Sequence, residues 1–287
     1  MQRKKFKTQD MRYIKSMRCI NRAIAYFILI AASTIAIFPI YWLLSSALKA
    51  AKDIWIMPPI FLFKPDFSHF VTVIKERSLF KYFVNSLIVS SGSTGIALFL
   101  GSLAAYALTR YSVKGGKHIA FWIISLRMMP PIVVILPLYI LFTRVGLVDT
   151  HIGLILAHIT LTLPFAVWML MGFFKEIPLA IDEAALIDGC TTMGVLFKVV
   201  LPLIRGGLVA TAVFCILWSW NDFIFAFSLT TTDAATLPVL ISGFLGDYVW
   251  EWSSFYATGV VAAAPIMLLA LFTQKYLVRA MTFGAVK

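Results

Sequence analysis

Six long apolar runs, separated by short charged segments, dominate the pattern of the chain. Each run holds at most one charged residue over a length that fits a membrane span. The runs lie between Arg22 and Lys49, between Lys81 and Arg110, from His118 to Thr143, from Thr150 to Phe174, after Arg205 with Asp222 in its second half, and between Glu251 and Lys275. Because a bilayer core about 30 Å thick needs about 20 residues of helix, each run predicts a transmembrane helix. None of the runs alternates between apolar and polar residues, which argues against membrane β-strands.

Composition also places the chain in a membrane. Hydrophobic residues make up 61% of the sequence, charged residues make up 13%, and the mean hydropathy is +0.90. So little charge cannot cover a soluble core with this many apolar side chains, and lipid must be the solvent for much of the protein. The first run has 26 residues without a charge. It is longer than the ~7 to 15 apolar residues of a secretion signal, so it predicts an uncleaved span.

The basic residues predict the orientation of the spans. With the N-terminus in the cytoplasm, the cytoplasmic segments hold 17 Lys and Arg residues and the external segments hold seven. This asymmetry follows the positive-inside rule and predicts that both termini are cytoplasmic. Orientation and contact with anionic lipid also account for the net charge of +12, so nucleic-acid binding is not needed to explain it. The predicted fold is an all-α membrane protein with six transmembrane helices.

The loop between the fourth and fifth runs combines acidic and small residues. Its sequence from residue 182 to 202, DEAALIDGCTTMGVLFKVVLP, predicts two short cytoplasmic helices. Turn and cap residues mark their ends: Pro178, Gly189, Thr191 or Thr192, and Leu201-Pro202. A hairpin lying on anionic lipid would be rich in basic residues instead. The loop therefore predicts a helix that docks on a soluble partner.

The same loop resembles that of a known family. In ABC importer permeases the EAA loop reads EAA, three residues, G, nine residues, I, one residue, LP. This chain matches it with Glu183-Ala184-Ala185, Gly189 and Leu201-Pro202, and departs from it only at Val199, which replaces the usual isoleucine. Other stretches are similar to the maltose-type carbohydrate permeases: FVNSLIVS, LAAYALTRY, LPLYILFTRVGLVDT, SWNDFIFA and the C-terminal GAVK. The resemblance covers residues 22–287.

The resemblance implies a permease-like helix bundle in the cell inner membrane, with defined partners. These are a second permease, expected to be a different chain, two cytoplasmic ATPase subunits, and an extracytoplasmic solute-binding protein. The EAA helix is implied to be a coupling helix seated in a cleft of the ATPase. The coupling residues would be Glu183, Ala184, Ala185, Gly189, Leu201 and Pro202.

The chain lacks the G-x-x-x-x-G-K-[ST] phosphate loop. We therefore expect that it binds no cofactor and has no catalytic residue, and that ATP and Mg²⁺ are used by the partner subunits. The expected organisation is a basic cytoplasmic segment at 1–22, a permease domain at 23–279 with a coupling loop at 175–207, and a cytoplasmic tail at 280–287.

Two charges within the predicted spans, Arg127 and Asp222, are candidates for the solute pathway. A charge at a helix centre costs about 2.5–3.5 kcal/mol on insertion scales, so each should face protein or water. We predict that at least one lines the interior, with a pair between the two as a further option. The neighbouring WSWND stretch adds Trp218, Trp220 and Asn221 as candidates, although aromatic residues of an interfacial belt have the same sequence appearance.

Residues 233–254 are predicted to form an external loop that meets the binding protein. Its apolar candidates for that contact are Phe244, Leu245 and Tyr248. The alternative is an ordinary interfacial hairpin that covers the helix bundle.

A secondary, ion-coupled solute transporter is the main alternative function, ahead of a membrane enzyme or a channel. Such carriers often contain repeated halves and paired ionisable residues at mid-depth, and the sequence shows no convincing repeat. His151 and His158 share a helix face, but no acidic or cysteine cluster completes a metal site. We interpret them as helix contacts and predict no metal. The sequence points to a sugar or polyol only through the family resemblance.

Overall fold

The computed structural model describes the backbone of residues 2–244 and 251–282, and the side chains of residues 22, 24–244 and 251–274. All regular elements in these residues are helical, which confirms the all-α prediction. The α-helices are α1 (Gln2–Ala47), α2 (Ser68–Glu76), α3 (Leu79–Arg110), α4 (Gly116–Ser125), α5 (Pro131–Arg144), α6 (His151–Glu176), α7 (Leu179–Ile187), α8 (Thr192–Gly194), α9 (Leu201–Leu203), α10 (Arg205–Trp220), α11 (Ile224–Leu229), α12 (Leu237–Ser242) and α13 (Trp252–Thr282). Short 3-10 helices cover Ala51–Asp53 and Leu126–Met128, and a π-helix at Val195–Val200 joins α8 to α9.

Four helical stretches are long and apolar enough to cross a membrane. They are Ile24–Ala47, Leu79–Arg110, His151–Glu176 and Trp252–Gln274. Two bent pairs raise the number to six if each pair counts as one span: Gly116–Met128 with Pro131–Arg144, bent by 93°, and Thr192–Leu203 with Arg205–Trp220, bent by 83°. The described residues therefore contain four to six candidate spans, in the places where the apolar runs predict them.

The third predicted span is broken. The sequence predicts one helix from His118 to Thr143, and the structure instead turns sharply between Met128 and Pro131. Met129 and Pro130 both adopt extended backbone angles. Proline lacks an N–H donor and disfavours a helical conformation in the residue before it, so the Pro130-Pro131 pair ends the first segment.

The centre of the bundle is the contact between α3 and α6. Small residues of α3 form its buried face: Ser90, Ser93, Ala97, Gly101, Ser102 and Ala105. A Cβ atom added at Gly101 would lie 3.1 Å from the Cβ of Ala166 on α6, so the glycine sets how closely the two backbones approach. Helix α10 packs against both, and α13 joins α1 to this centre.

Candidate functional site

Helix α7 ends in a glycine-based cap. The N–H of Gly189 donates to the carbonyl of Leu186 at 3.1 Å, and the N–H of Cys190 donates to the carbonyl of Ala185 at 3.0 Å. This pair of bonds is a Schellman motif, in which the residue after the helix takes a left-handed conformation. Gly189 has a φ of +89°, which side chains with a Cβ rarely adopt. The predicted stop at this glycine is confirmed.

The two sides of α7 differ in character. Asp182 and Ala185 are buried within the chain, at 4% and 8% exposure. The opposite side, which we name the outer face of α7, is exposed and consists of Leu179, Glu183, Leu186 and Ile187. Ala184 is also exposed. Ala185 therefore cannot take part in a contact with another chain, contrary to the grouping of both alanines in the sequence analysis.

A buried ion pair attaches α7 to the end of α3. The Nε atom of Arg110 lies 2.9 Å from Oδ2 of Asp182, and the two side chains are 7% and 6% exposed. One Arg110 amino group also donates to the carbonyl of Ile177 at 3.0 Å. The hydroxyl of Tyr106 donates to Oδ2 of Asp182 at 3.0 Å. The same amino group of Arg110 lies 3.3 Å from Oδ1 of Asp182. A carboxylate out of water is stabilised only when its lone pairs are satisfied, and the contacts with Arg110 and Tyr106 engage both oxygens of Asp182.

An apolar core reinforces this attachment. The core joins the C-terminal parts of α3 and α6 to both helical stretches of the α6–α10 loop. It contains Ala105, Tyr106, Leu170, Phe174, Ala185, Val195, Leu196, Val200 and Ile204. Because the loop residues are buried against two spans, the loop forms one packed unit with them.

The second helical stretch of the loop also begins as predicted. The side chain of Thr191 accepts a hydrogen bond from the N–H of Gly194 at 3.2 Å, which makes Thr191 the N-cap. Leu201 packs against the apolar core, whereas Pro202 is exposed. The helix ends at Leu203, one residue beyond the predicted end.

Asp222 lies where the fifth apolar run breaks between α10 and α11. Its Oδ2 atom accepts hydrogen bonds from the N–H groups of Phe225 at 3.1 Å and Ala226 at 3.2 Å. The same oxygen is 3.2 Å from Nε2 of His158, and the Asp222 side chain is 9% exposed. The carboxylate thus satisfies backbone donors that the helix break would otherwise leave without partners.

A short polar chain runs from His158 across the bundle. Its Nδ1 atom is 2.7 Å from the hydroxyl of Ser219, which in turn accepts a hydrogen bond from the hydroxyl of Ser93 at 3.1 Å. The contacts connect α6, α10 and α3. His151 contacts Asn85 at 2.7 Å, so both histidines make helix contacts. Among the described residues no group of three or more His, Cys, Asp and Glu side chains could hold a metal ion.

Arg127 and Asp222 border one cavity of about 840 Å³ between the broken third and fifth runs. Arg127 and Asp222 form no ion pair with each other; the ion contact of Asp222 is with His158. The guanidinium carbon of Arg127 lies 4.4 Å from the ring centroid of Trp218 and 5.1 Å from that of Phe165. Arg127 is therefore held by aromatic rings at the cavity wall.

The other three pathway candidates of the WSWND stretch, Trp218, Trp220 and Asn221, lie in two different environments. Trp218 is half exposed and lines the cavity together with Asn221. Trp220 is buried, its indole N–H donates to the carbonyl of Ala262 at 3.1 Å, and its ring packs edge-on against Phe83. Trp220 thus belongs to the packing of α10 on α13, and it is not part of the wall of this cavity.

An aspartate clamps the segment that follows α11. The carboxylate of Asp149 accepts hydrogen bonds from the N–H groups of residues 231–234 at 3.0–3.1 Å and from the Thr231 hydroxyl at 2.6 Å. Partial burial raises the pKa of Asp149, but these hydrogen bonds outweigh it and hold the pKa well below its usual value. Asn85 adds bonds to the carbonyls of Asp233 and Ala235 at 2.8 and 2.9 Å.

The proposed contacts of the 233–254 loop are only partly described. Phe244 is buried at 2% exposure in a cluster with Val73, Leu79 and Trp220, so it cannot be an exposed anchor for a binding protein. Leu245 and Tyr248 lie outside the described residues. For Phe244 the alternative, a segment that covers the bundle, fits the structure better.

Sequence reasoning missed the residues that attach the loop. Tyr106 and Arg110 are four positions apart, hence on one face of α3, and both contact Asp182. A polar pair at this spacing at the end of an apolar run was the available signal. Asp149 gave a weaker one, since it precedes the helix cap Thr150.

The chain is similar to known proteins over most of its length. Residues 97–283 match the family described as binding-protein-dependent transport system inner membrane component. The probable ABC transporter permease protein y4oR of Sinorhizobium fredii is 34% identical over 88% of this chain and 90% of its own length. The trehalose/maltose transport system permease protein MalG of Thermococcus litoralis is 32% identical over 90% of this chain and 94% of its own.

A solved bacterial ABC transporter, involved in the import of the acidic polysaccharide alginate, has a chain of the same fold. The TM-score is 0.72 at 20% identity, over 90% of this chain and 96% of that one. The family match and the full-length relatives confirm the resemblance seen in the sequence, and they confirm a multi-pass protein of the inner membrane. The chain belongs to the family of binding-protein-dependent transport system inner membrane components, as an ABC importer permease, which is a transport subunit and not an enzyme.

Proposed function

We propose that the chain forms half of the pathway of an ATP-driven importer for a sugar-class solute, and that α7 transmits the stroke of the ATPase. The solute class is supported by the names of its relatives, one a trehalose/maltose permease. The observation that carries the coupling role is the buried pair of Arg110 and Asp182. It attaches the buried side of α7 to a membrane span and leaves the outer face of α7 exposed.

The outer face suits a cleft on a soluble partner. It combines three exposed apolar side chains, Leu179 at 51%, Leu186 at 49% and Ile187 at 87%, with the charge of Glu183. Leu179 and Leu186 are seven positions apart, which is one of the usual spacings between the anchors of a helix in a groove. Because α7 is packed on α3 and α6, a displacement of this helix would be passed to the spans as a rigid-body movement.

The proposed topology has six crossings and both termini in the cytoplasm. The third crossing is the bent pair α4 and α5. The fifth is α10 with α11, and the Thr192–Leu203 arm of the other bent pair is assigned to the cytoplasmic loop. Helix α10 has 16 residues and rises about 24 Å, which is short of a core of about 30 Å; α11 supplies the missing depth. Residues 1–22, the α6–α10 loop and residues 280–287 then lie in the cytoplasm, where the positive-inside rule expects them.

The proposed assembly contains a second, different permease, two ATPase subunits and an external binding protein. The cavity bordered by Arg127 and Trp218 would be completed by the second permease to form the pathway. ATP and Mg²⁺ would be bound by the ATPase subunits, and this chain would bind no cofactor. A secondary transporter would instead be driven by an ion gradient, so uptake that needs ATP and resists ionophores distinguishes the two.

The coupling role is tested by Glu183→Lys in the reconstituted complex. The variant reverses the charge on the outer face of α7 without touching the buried pair, so the chain should insert normally while ATPase assembly and uptake fall at least tenfold. Asp188→Lys is the matched control, because Asp188 is also exposed but lies off this face. Wild-type uptake, assembly and stimulated ATP hydrolysis for Glu183→Lys would contradict the proposal.

A further inference from the structure

The cavity between the broken runs contains an arginine that makes no ion pair among the described residues. Its wall contains two ionisable side chains, Arg127 and Asp222. The polar groups that remain are Thr160 and Asn221, and the rest of the wall is apolar or aromatic. The contacts that a solute can make in this cavity therefore depend on how the protein itself engages each of the two ionisable groups.

Asp222 borders the cavity and is engaged by the protein at one of its two carboxylate oxygens. Its side chain is 9% exposed, and one oxygen accepts two backbone hydrogen bonds and lies beside His158. Charge-assisted bonds to backbone donors consume the acceptor capacity of this oxygen at the helix break. Oδ2 of Asp222 is thus directed to the helix break and to His158, and among the described residues the carboxylate makes no ion pair with Arg127.

Arg127 is in the opposite situation. Its guanidinium stacks near the rings of Trp218 and Phe165, and in the part of the chain that the structure describes it makes no ion pair. Stacking uses the faces of a guanidinium and leaves its in-plane N–H donors available. A charge at this depth costs about 2.5–3.5 kcal/mol on insertion scales, and a group of opposite charge bound in the cavity would offset part of that cost.

We propose that the imported solute is an acidic sugar, whose carboxylate or sulfonate group is bound in this cavity by Arg127. A planar guanidinium matches such an oxyanion with two parallel hydrogen bonds. The exposed half of the Trp218 ring offers an apolar surface to the sugar ring beside it. A volume of about 840 Å³ lies within the range of small-molecule sites, about 300–1,000 Å³. This inference rests on the proposed importer function.

The test uses a matched pair of probes, cellobiouronic acid and cellobiose, which differ in one carboxylate. Binding of each to the purified complete complex is measured by equilibrium dialysis without the binding protein, and ATP-driven uptake is measured in liposomes. We expect the wild-type complex to bind the acid at least tenfold more tightly than the neutral sugar. Arg127→Gln should reduce this ratio to about twofold or less, and Arg127→Lys should leave an intermediate ratio.

Arg144→Gln is the control variant, since it removes the same charge from the exposed end of α5; it should keep the wild-type ratio. The wild-type ratio tests the inference even if Arg127→Gln fails to assemble. Equal binding of both probes by the wild type, or an unchanged ratio in Arg127→Gln, would overturn the inference. ATP-driven uptake of cellobiose with no preference for the acid would overturn it while leaving the importer function intact. Absence of ATP-driven uptake of any sugar would remove both.

Discussion

Arg110 and Asp182, 72 positions apart in the chain, form an ion pair in which both side chains are less than one-tenth exposed. The pair joins the C-terminal end of α3, the second candidate span, to the loop helix α7. Because the pair is buried, moving α7 away from α3 raises the free energy of the protein. A charge buried with its partner costs little, but the same charge without its partner costs several kcal/mol.

Removing one member of this pair should therefore be worse than removing both. Asp182→Asn or Arg110→Met should each destabilise the loop by about 3–5 kcal/mol, with loss of ATPase assembly and uptake. The double variant Arg110→Met with Asp182→Leu should recover much of the assembly. Tyr106→Phe, which deletes a single hydrogen bond, should cost about 1 kcal/mol. Co-purification of the ATPase subunits measures the order of effects, and equal losses in the single and double variants would show that the pair is not what holds α7.

The two alanines of the EAA sequence should respond differently to enlargement. Ala185 is buried in the core that joins the loop to the spans, so Ala185→Leu should overpack it by about 1–3 kcal/mol and increase proteolysis of the loop in the permease alone. Ala184 is exposed, so Ala184→Leu should leave the loop resistant and affect only docking of the ATPase. Limited proteolysis before and after ATPase addition separates the two effects, and identical behaviour would contradict the assignment of faces.

Gly189 should be intolerant of any side chain for a backbone reason. A Cβ atom there would meet open space, but the φ of +89° is strained for residues other than glycine. Gly189→Ala should cost about 1–2 kcal/mol and reduce stimulated ATP hydrolysis, and Gly189→Asn should cost less because asparagine tolerates this region better. Gly95→Ala is the control, since Gly95 also faces open space but lies within a helix. Full activity of Gly189→Ala would show that the turn does not set the angle of α7.

The clamp at Asp149 should depend on pH in acid. Because its pKa is lower in the folded protein than the usual value of about 3.9, the carboxylate contributes its full stabilisation above about pH 4. That contribution is lost as the pH falls below 4 toward the folded pKa. Hydrogen exchange of the amides of residues 231–234, corrected for the intrinsic rate at each pH, should accelerate over that range in the wild type.

Asp149→Asn should exchange rapidly at every pH, because its amide oxygen accepts weaker bonds than a carboxylate. Asp66→Asn is a suitable control: the pKa of Asp66 is also lowered by a bond from the N–H of Ser68, but the residue is remote in sequence from the clamp. Protection of residues 231–234 that does not change in acid would contradict the role of Asp149.

Local rules predicted the ends of elements well. The cap at Thr191, the stop at Gly189 and the apolar runs all depend on neighbours within a few residues, and such neighbours are visible in the sequence. The orientation of α7 was not predictable in the same way. Asp182 and Glu183 are adjacent acids of equal appearance, and only the position of Arg110 on another helix decides that the first is buried and the second exposed.

The break in the third run shows the same limit. Two consecutive prolines at 130 and 131 are consistent with a break in the helix, but the angle of 93° between the two segments also depends on how each segment packs on the rest of the bundle. In the same way, Arg127 and Asp222 are correctly selected as unusual from the sequence, whereas the partner of Asp222 is His158, a residue that carries no sign of this contact.

The polar contacts of residues 219–233 bear on how the protein is made. Apart from the indole of Trp220, the described partners of this segment precede it in the chain: Ser93 and His158 for Ser219, His158 for Asp222, and Asp149, Lys81 and Asn85 for the stretch after α11. Synthesis proceeds from the N-terminus, so each of these hydrogen-bond partners has been synthesised before the segment leaves the ribosome. The fifth span, which is short and carries Asp222, thus reaches polar partners that are already part of the chain, and most of its contacts do not depend on a later helix.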